Sequence, residues 1–222
     1  MQQQAFTALL AAGILMTACQ SAPEADNAST GEATTAASGT GNTFSVDTTG
    51  STIGWIGTKQ NGQHNGTFML SGGSLTVDSN NNIASGSFTI NIGSLNVLDL
   101  QGDDKGKLEG HLKSPDFFDA ATYPSAKFEI AGVAPYDSAT ASSKLAGATH
   151  IITGNLTLKD STKSIAFPAI VTIDSATVST SADFNIDRTQ WGMNYKGPNN
   201  PADWFIKKEV NLKLNIKANK AQ

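Results

Sequence analysis

From Thr43 to Ala218 the chain alternates between apolar and polar side chains. In "EVNLKLNIKA", Val210, Leu212, Leu214 and Ile216 fall on one side, and Asn211, Lys213, Asn215 and Lys217 on the other. A period of two is the repeat of an extended strand, whose successive side chains point to opposite faces. The same period runs through "GSFTINIGSL" (Phe88, Ile90, Ile92), "AKFEIAGV" (Phe128, Ile130) and "ITGNLTLKD" (Leu156, Leu158). It continues in "KSIAFPAIVTID" (Ile165, Phe167, Val171, Ile173) and "ATVSTSADFNID" (Val178, Ala182, Phe184, Ile186). "STIGWIGTK" and "GTFMLSG", the latter with Phe68 and Leu70, follow it more weakly. Turn-forming clusters such as "DSNNN", "KDSTK", "DSAT" and "KGPNNP" separate the runs. Strands apolar on one face and wetted on the other belong to antiparallel sheets.

Such strands must bury their apolar faces, either between two sheets or inside one sheet closed on itself. A strand of eleven residues spans roughly 35 Å, and long strands around one axis suit an extended barrel. The expected class is therefore all-β, an extended antiparallel barrel of about eight strands. A barrel of that size either fills with side chains or keeps room for a small ligand. Its faces mix Phe and Ile with Ala, Gly and Thr, which favours a cavity. Periodicity alone does not separate a hollow barrel from a full one. A short helical segment is expected near 103–118, where Leu108, Leu112 and Phe117 recur at helical spacing.

Charge excludes one class of partner. From Thr43 onward, 15 bases stand against 16 acids, and the bases form no run. A nucleic-acid binder needs a basic patch or stripe. Cys19 is the only cysteine, so no intrachain disulfide is available. A domain of about 180 residues can bury enough surface to do without one.

The first 42 residues read as address and tether. Ala5 to Ala18 is apolar apart from two threonines, too short to span a bilayer comfortably and ending in small residues, as a secretory segment does. "LMTAC" resembles a bacterial lipobox, with Met16 where leucine is usual and Cys19 as the lipid-bearing residue. Residues 1–18 are thus expected to be a lipoprotein signal peptide and 19–42 a disordered tether, low in complexity and without large apolar residues. Residues 43–220 are the folded domain. The expectation is an exported periplasmic or cell-envelope lipoprotein, anchored to a membrane.

"GHLKSPDFFDAATYPSAKFEI", from Gly110 to Ile130, concentrates chemistry-bearing residues. His111 would serve as a base with Asp116 or Asp119 orienting it, but no serine or cysteine stands in a recognisable nucleophile elbow. The structural alternative has Asp116 and Asp119 capping turns, Phe117, Phe118 and Tyr123 closing a barrel end, and Pro115 and Pro124 fixing the bends. His64, His111 and His150 lack the paired spacing of metal ligands, so neither metal nor cofactor is expected. Arg188 is the sole arginine. Its planar fork suits a carboxylate at the strand end or a polar or phosphorylated head group. Trp191, Tyr195 and Trp204 flank "KGPNNPADW" as a rim for chain carbons or as hairpin packing.

These segments resemble the YceI-like family of polyisoprenoid-binding exported proteins, from about Thr43 to Ala218. The resemblance is carried by "FSVDTTGSTIGWIGTK", "HNGTF", the Gly110–Ile130 segment, "GNLTLKDSTKSIAFP" and "FNIDRTQWGMNY". In "QGDDKGKLEGHL", Gly106 and Glu109 stand where that family commonly has an Arg-Asp pair. The resemblance implies a lipocalin-like barrel, extended and hollow, holding an isoprenoid or similar chain for carriage or storage, without catalysis. Alternation and resemblance together nominate as ligand contacts Phe68, Leu70, Phe88, Ile90, Ile92, Leu108, His111, Leu112, Phe117, Phe128, Ile130, Leu156, Phe167, Phe184, Arg188, Trp191, Val210, Leu212 and Leu214. The expected partners are a lipid and, through the anchor, a membrane. The pattern does not choose between monomer and dimer. Two alternatives remain open: an enzyme using His111 on a sequestered lipid, and a ligand-free surface module.

Overall fold

A computed structural model of the chain describes residues 22–198 and 205–221. Two short strands come first, β1 (Asp26–Asn27) and β2 (Ser29–Glu32). There follow β3 (Asn42–Val46), β4 (Thr52–Lys59), β5 (Gly62–Val77), β6 (Ile83–Val97), a helix α1 (Gly102–Lys113) and β7 (Ser125–Pro135). The chain continues through β8 (His150–Leu158), β9 (Ser161–Ile173), β10 (Thr177–Asp187), a 3-10 turn (Arg188–Trp191) and β11 (Ile206–Lys220).

The sheet closes into a barrel of eight antiparallel staves. β3 and β4 share one stave, since both lie between β11 and β5. The break between them is a side-chain-stabilised turn, in which Asp47 Oδ1 accepts the backbone N–H groups of Thr49 and Gly50. The other seven staves are β5 to β11, closed by β10 on β9. β5 is 16 residues long, and β6 and β11 are 15 each, so the barrel is extended. Three register shifts in the β5–β6 pair bend that long hairpin around the axis.

Two seams interrupt the closure. β9 and β10 pair only between Ile170–Ile173 and Val178–Ser181. β6 and β7 pair only between Ser87–Asn91 and Ser125–Glu129. The N-terminal segment covers both. Asp26 and Asn27 run parallel to β10 at Phe184 and Asn185, and Ser29–Glu32 then pair with Lys163–Ala166 of β9. The segment next crosses β8, where Thr34 exchanges two hydrogen bonds with the Asn155 amide. It reaches β7 through Ala37 N–H, which donates to Ile130 O at 2.8 Å.

This belt differs from the disordered tether expected over 19–42. Low complexity correctly signals that the segment has no core of its own. The splayed strands, however, offer it unpaired backbone groups, and an edge is a template for another strand. Small side chains fit the seam: Ala25 is buried and Ala28 packs on the core. Asp26 also accepts hydrogen bonds from Ser143 Oγ and Lys144 N. The expected signal peptide and Cys19 lie outside the described residues, as does Trp204.

α1 is shorter than the expected 103–118. It stops at Ser114, which is extended (ψ 170°), because the residue before a proline avoids helical backbone and Pro115 follows. The chain then folds back: Phe118 N–H reaches Leu112 O and Ala120 N–H reaches Lys113 O. Phe117 is therefore presented by a turn rather than by the helix. Glu109 ties α1 to the barrel by accepting Val97 N–H at 2.9 Å.

Candidate ligand cavity

The inward faces of the staves do not meet. They leave a cavity of about 270 Å³ on the barrel axis, near the lower end of small-ligand pockets. Nearly every alternating position enters its wall: Phe68 and Leu70 on β5, Phe88, Ile90 and Ile92 on β6, and Phe128 and Ile130 on β7. Leu156 on β8, Phe167 on β9, Phe184 on β10, and Val210, Leu212 and Leu214 on β11 complete the ring. Leu108, His111 and Leu112 of α1, with Phe117 and Arg188, cover one end.

Aromatic rings shape the bore. Phe167 and Phe184 stack at 4.0 Å between β9 and β10, bridging the strands from within where their backbones part. Phe128 lies against Phe167 at 6.0 Å and over Gly154, where a Cβ would come within 2.3 Å of its ring. Phe118, turned in after α1, meets Phe68 edge-on at 5.3 Å.

Trp191 departs from expectation. It is not in the cavity wall; its ring is 1% exposed and its Nε1–H donates to Leu156 O at 2.9 Å. A tryptophan buried in a shell needs such a partner for its N–H. Tyr195 packs on His111 and Phe117, at 4.7 and 5.5 Å between ring centroids.

Arg188 lines the cavity end but gives its hydrogen bonds to backbone carbonyls rather than to a carboxylate. Nε donates to Lys207 O at 3.1 Å, Nη2 to Tyr195 O at 3.0 Å and to Ile206 O at 3.3 Å, and Nη1 to Met193 O. The guanidinium thus clamps the loop after the 3-10 turn to the start of β11. Burial lowers its pKa, opposed by the charge of Asp187. That carboxylate is engaged elsewhere, by the Thr189 hydroxyl at 2.6 Å and Lys208 Nζ at 2.9 Å. Burial raises the Asp187 pKa, but these hydrogen bonds outweigh it and hold the group below the usual range.

In the Gly110–Ile130 segment, His111 Nε2 lies 3.0 Å from Asp116 Oδ2. Asp119 contributes backbone instead, in left-handed conformation at φ 47°, with its carbonyl accepting Thr122 and Tyr123 N–H. His64 and His111 both enter the cavity wall, and His150 does not. Among the described residues no group of three or more His, Cys, Asp or Glu could hold a metal ion.

Sequence reasoning did not nominate several wall residues. Ile53 and Trp55 of β4 carry the period-two signal of "STIGWIGTK" and were within reach of it. Lys59 and His64 carry no such signal. Lys59 Nζ lies 3.1 Å from His64 Nε2, and His64 Nδ1 lies 2.7 Å from Asp99 Oδ2. Burial raises the Asp99 pKa, but hydrogen bonds from Asn65 N–H and His64 prevail and hold it low. A further wall group, Trp55 Nε1, is buried without a hydrogen-bond partner among the described residues.

The fold and the bore define a class, the extended lipocalin-like antiparallel barrel with an internal apolar cavity. The chain belongs to the YceI-like domain family, whose model matches residues 44–218. Among solved structures, BcnA of Burkholderia cenocepacia is similar at TM-score 0.60 and 24% identity, over 78% of this chain and 99% of that one. A polyisoprenoid binding domain from Saccharophagus degradans, implicated in plant cell wall breakdown, gives 0.56 at 16% identity, over 80% and 98%. At these identities the likeness shows the fold. Among curated proteins none matches the sequence.

Proposed function

We propose that this protein binds a lipid by its tail, an isoprenoid or acyl chain lying in the bore, and carries or stores it outside the cytoplasm. The observation that carries the reading is the carbon-lined cavity on the barrel axis. Each buried methylene contributes about 0.8 kcal/mol, so one five-carbon isoprene unit supplies about 4 kcal/mol before costs. Ordering the chain takes part of that back. Affinity therefore rises with tail length until the bore is full, and apolar walls discriminate little between isoprenoid and acyl tails. The polyisoprenoid binding domain from Saccharophagus degradans shares the fold and fits this reading. In the same proposal, the N-terminal segment exports the chain and Cys19 anchors it to the cell envelope.

Native mass spectrometry of the purified protein tests the proposal, followed by solvent extraction. A bound mass of lipid size is expected. A bare polypeptide that takes up no long-chain lipid on incubation would overturn it. For the anchor, Cys19→Ser should move the protein from the membrane fraction to the soluble one.

A second reading, chemistry on a sequestered lipid, draws on the His111–Asp116 pair. The hydroxyl nearest in sequence, Ser114 Oγ, is buried and unpartnered rather than bonded to His111. His111→Ala separates the readings: a carrier keeps its lipid, whereas an enzyme loses turnover of it.

A further inference from the structure

The bore is apolar along most of its wall, but the end of β4 interrupts it with a polar group that no described residue satisfies. Trp55 belongs to the cavity wall, is 7% exposed, and its Nε1 has no hydrogen-bond partner among the described residues. Thr58, three residues on, falls on the other face of the strand, whereas Lys59 shares the face of Trp55. Native proteins pair nearly all buried polar groups, so the orphan indole N–H calls for an explanation.

Its neighbours say what would satisfy it. Lys59 also lines the cavity and lies against His64 Nε2. Asp99 accepts from His64 Nδ1, which leaves Nε2 to accept from the Lys59 ammonium. Two of the three Lys59 N–H bonds remain available for other acceptors. An indole N–H and an ammonium can only donate. The ionisable side chains in the wall are Lys59, His64, His111, Arg188 and Lys207. Among the described residues no aspartate or glutamate joins them. Donors and bases therefore face the cavity at this end, and the complementary ligand group is an acceptor bearing negative charge.

We propose that Trp55 Nε1 and Lys59 Nζ form a head-group subsite, and that the occupant of the bore is an amphiphile ending in an anionic oxygen, a carboxylate or a phosphate. This rests on the lipid-binding reading and narrows it from a tail to a tail with a head.

The test uses delipidated full-length protein and four probes: palmitate, hexadecanol, geranylgeranyl phosphate and geranylgeraniol. Kd values come from titration at fixed ionic strength. The wild-type protein is expected to bind at least one anion tenfold or more tightly than its matching alcohol. The anion with the larger ratio identifies the head, carboxylate or phosphate. In Lys59→Met that ratio should fall below threefold, with folding checked by circular dichroism and Tm. Trp55→Phe gives a second reading if it folds, and Lys59→Met suffices if it does not. Equal binding of acid and alcohol by the wild type would overturn the subsite and leave lipid binding standing. A tenfold preference that survives in the variants would overturn the assignment to these residues. Failure of all four probes to bind would instead overturn the lipid reading beneath it.

Discussion

Gly66 lies across the sheet from Trp55, and no side chain fits there. A Cβ would come within 2.3 Å of Asn96 O and 2.6 Å of the Trp55 ring. The carbonyl is held in the β5–β6 ladder and cannot yield. Gly66→Ala should cost about 1–3 kcal/mol, the usual range for overpacking, and shift Trp55. Urea titration measures the first, and tryptophan emission reports the second. At the opposite end of the barrel, burial lowers the His150 pKa below its ordinary value of 6.5. The unfolded chain then takes up this proton first, so the contribution of neutral His150 is complete above pH 6.5. It is lost as pH falls from 6.5 through the lower folded value. Between pH 7.5 and 5.5 the Tm of wild type should fall further than that of His150→Gln. Composition could flag Arg188 as special, since it is unique in the chain. Its four carbonyl acceptors come from residues that only the closed loop assembles.

At the scale of elements, the strands follow from alternation and the end of α1 from Pro115. The belt does not. Residues 22–41 hold no large apolar residue, and their order comes from edges that β9, β10 and β7 leave unpaired. A chain beginning at Gly41 should therefore exchange its amides faster at Ser164–Ala166 and Phe184–Asn185. Ile170–Ile173, paired within the barrel itself, should stay protected. Hydrogen exchange resolved by residue decides this, and unchanged rates at the seam would deny the belt any part in closing it. Exposed edges also invite strand addition between copies, so self-association should rise in the truncated form.

For the whole molecule the decisive quantity is unfilled volume. Leu156 lies in the cavity wall, and Leu156→Trp would place a large ring in the bore. The expected result is a folded barrel with lipid capture reduced at least tenfold, read by native mass spectrometry beside far-UV circular dichroism. Overpacking costs about 1–3 kcal/mol, which a barrel this extended should tolerate. Capture unchanged by such a ring would place the lipid outside the bore. The inward set was legible because its signal is local: a two-residue period is imposed by extended backbone, so Phe88, Ile90 and Ile92 share a face wherever their strand is placed. Trp191 lies outside the wall because it sits in a 3-10 turn, where no period of two tells which side a ring takes. Sequence by itself determined the strands, their apolar faces and the barrel class. Tertiary structure decided where the strands part, what covers the gaps, and that His64 meets Asp99 and Lys59 beside the Trp55 indole. Those outcomes depend on how twisted staves of unequal length close on one another, and so on contacts between residues far apart in the chain, which no local period records.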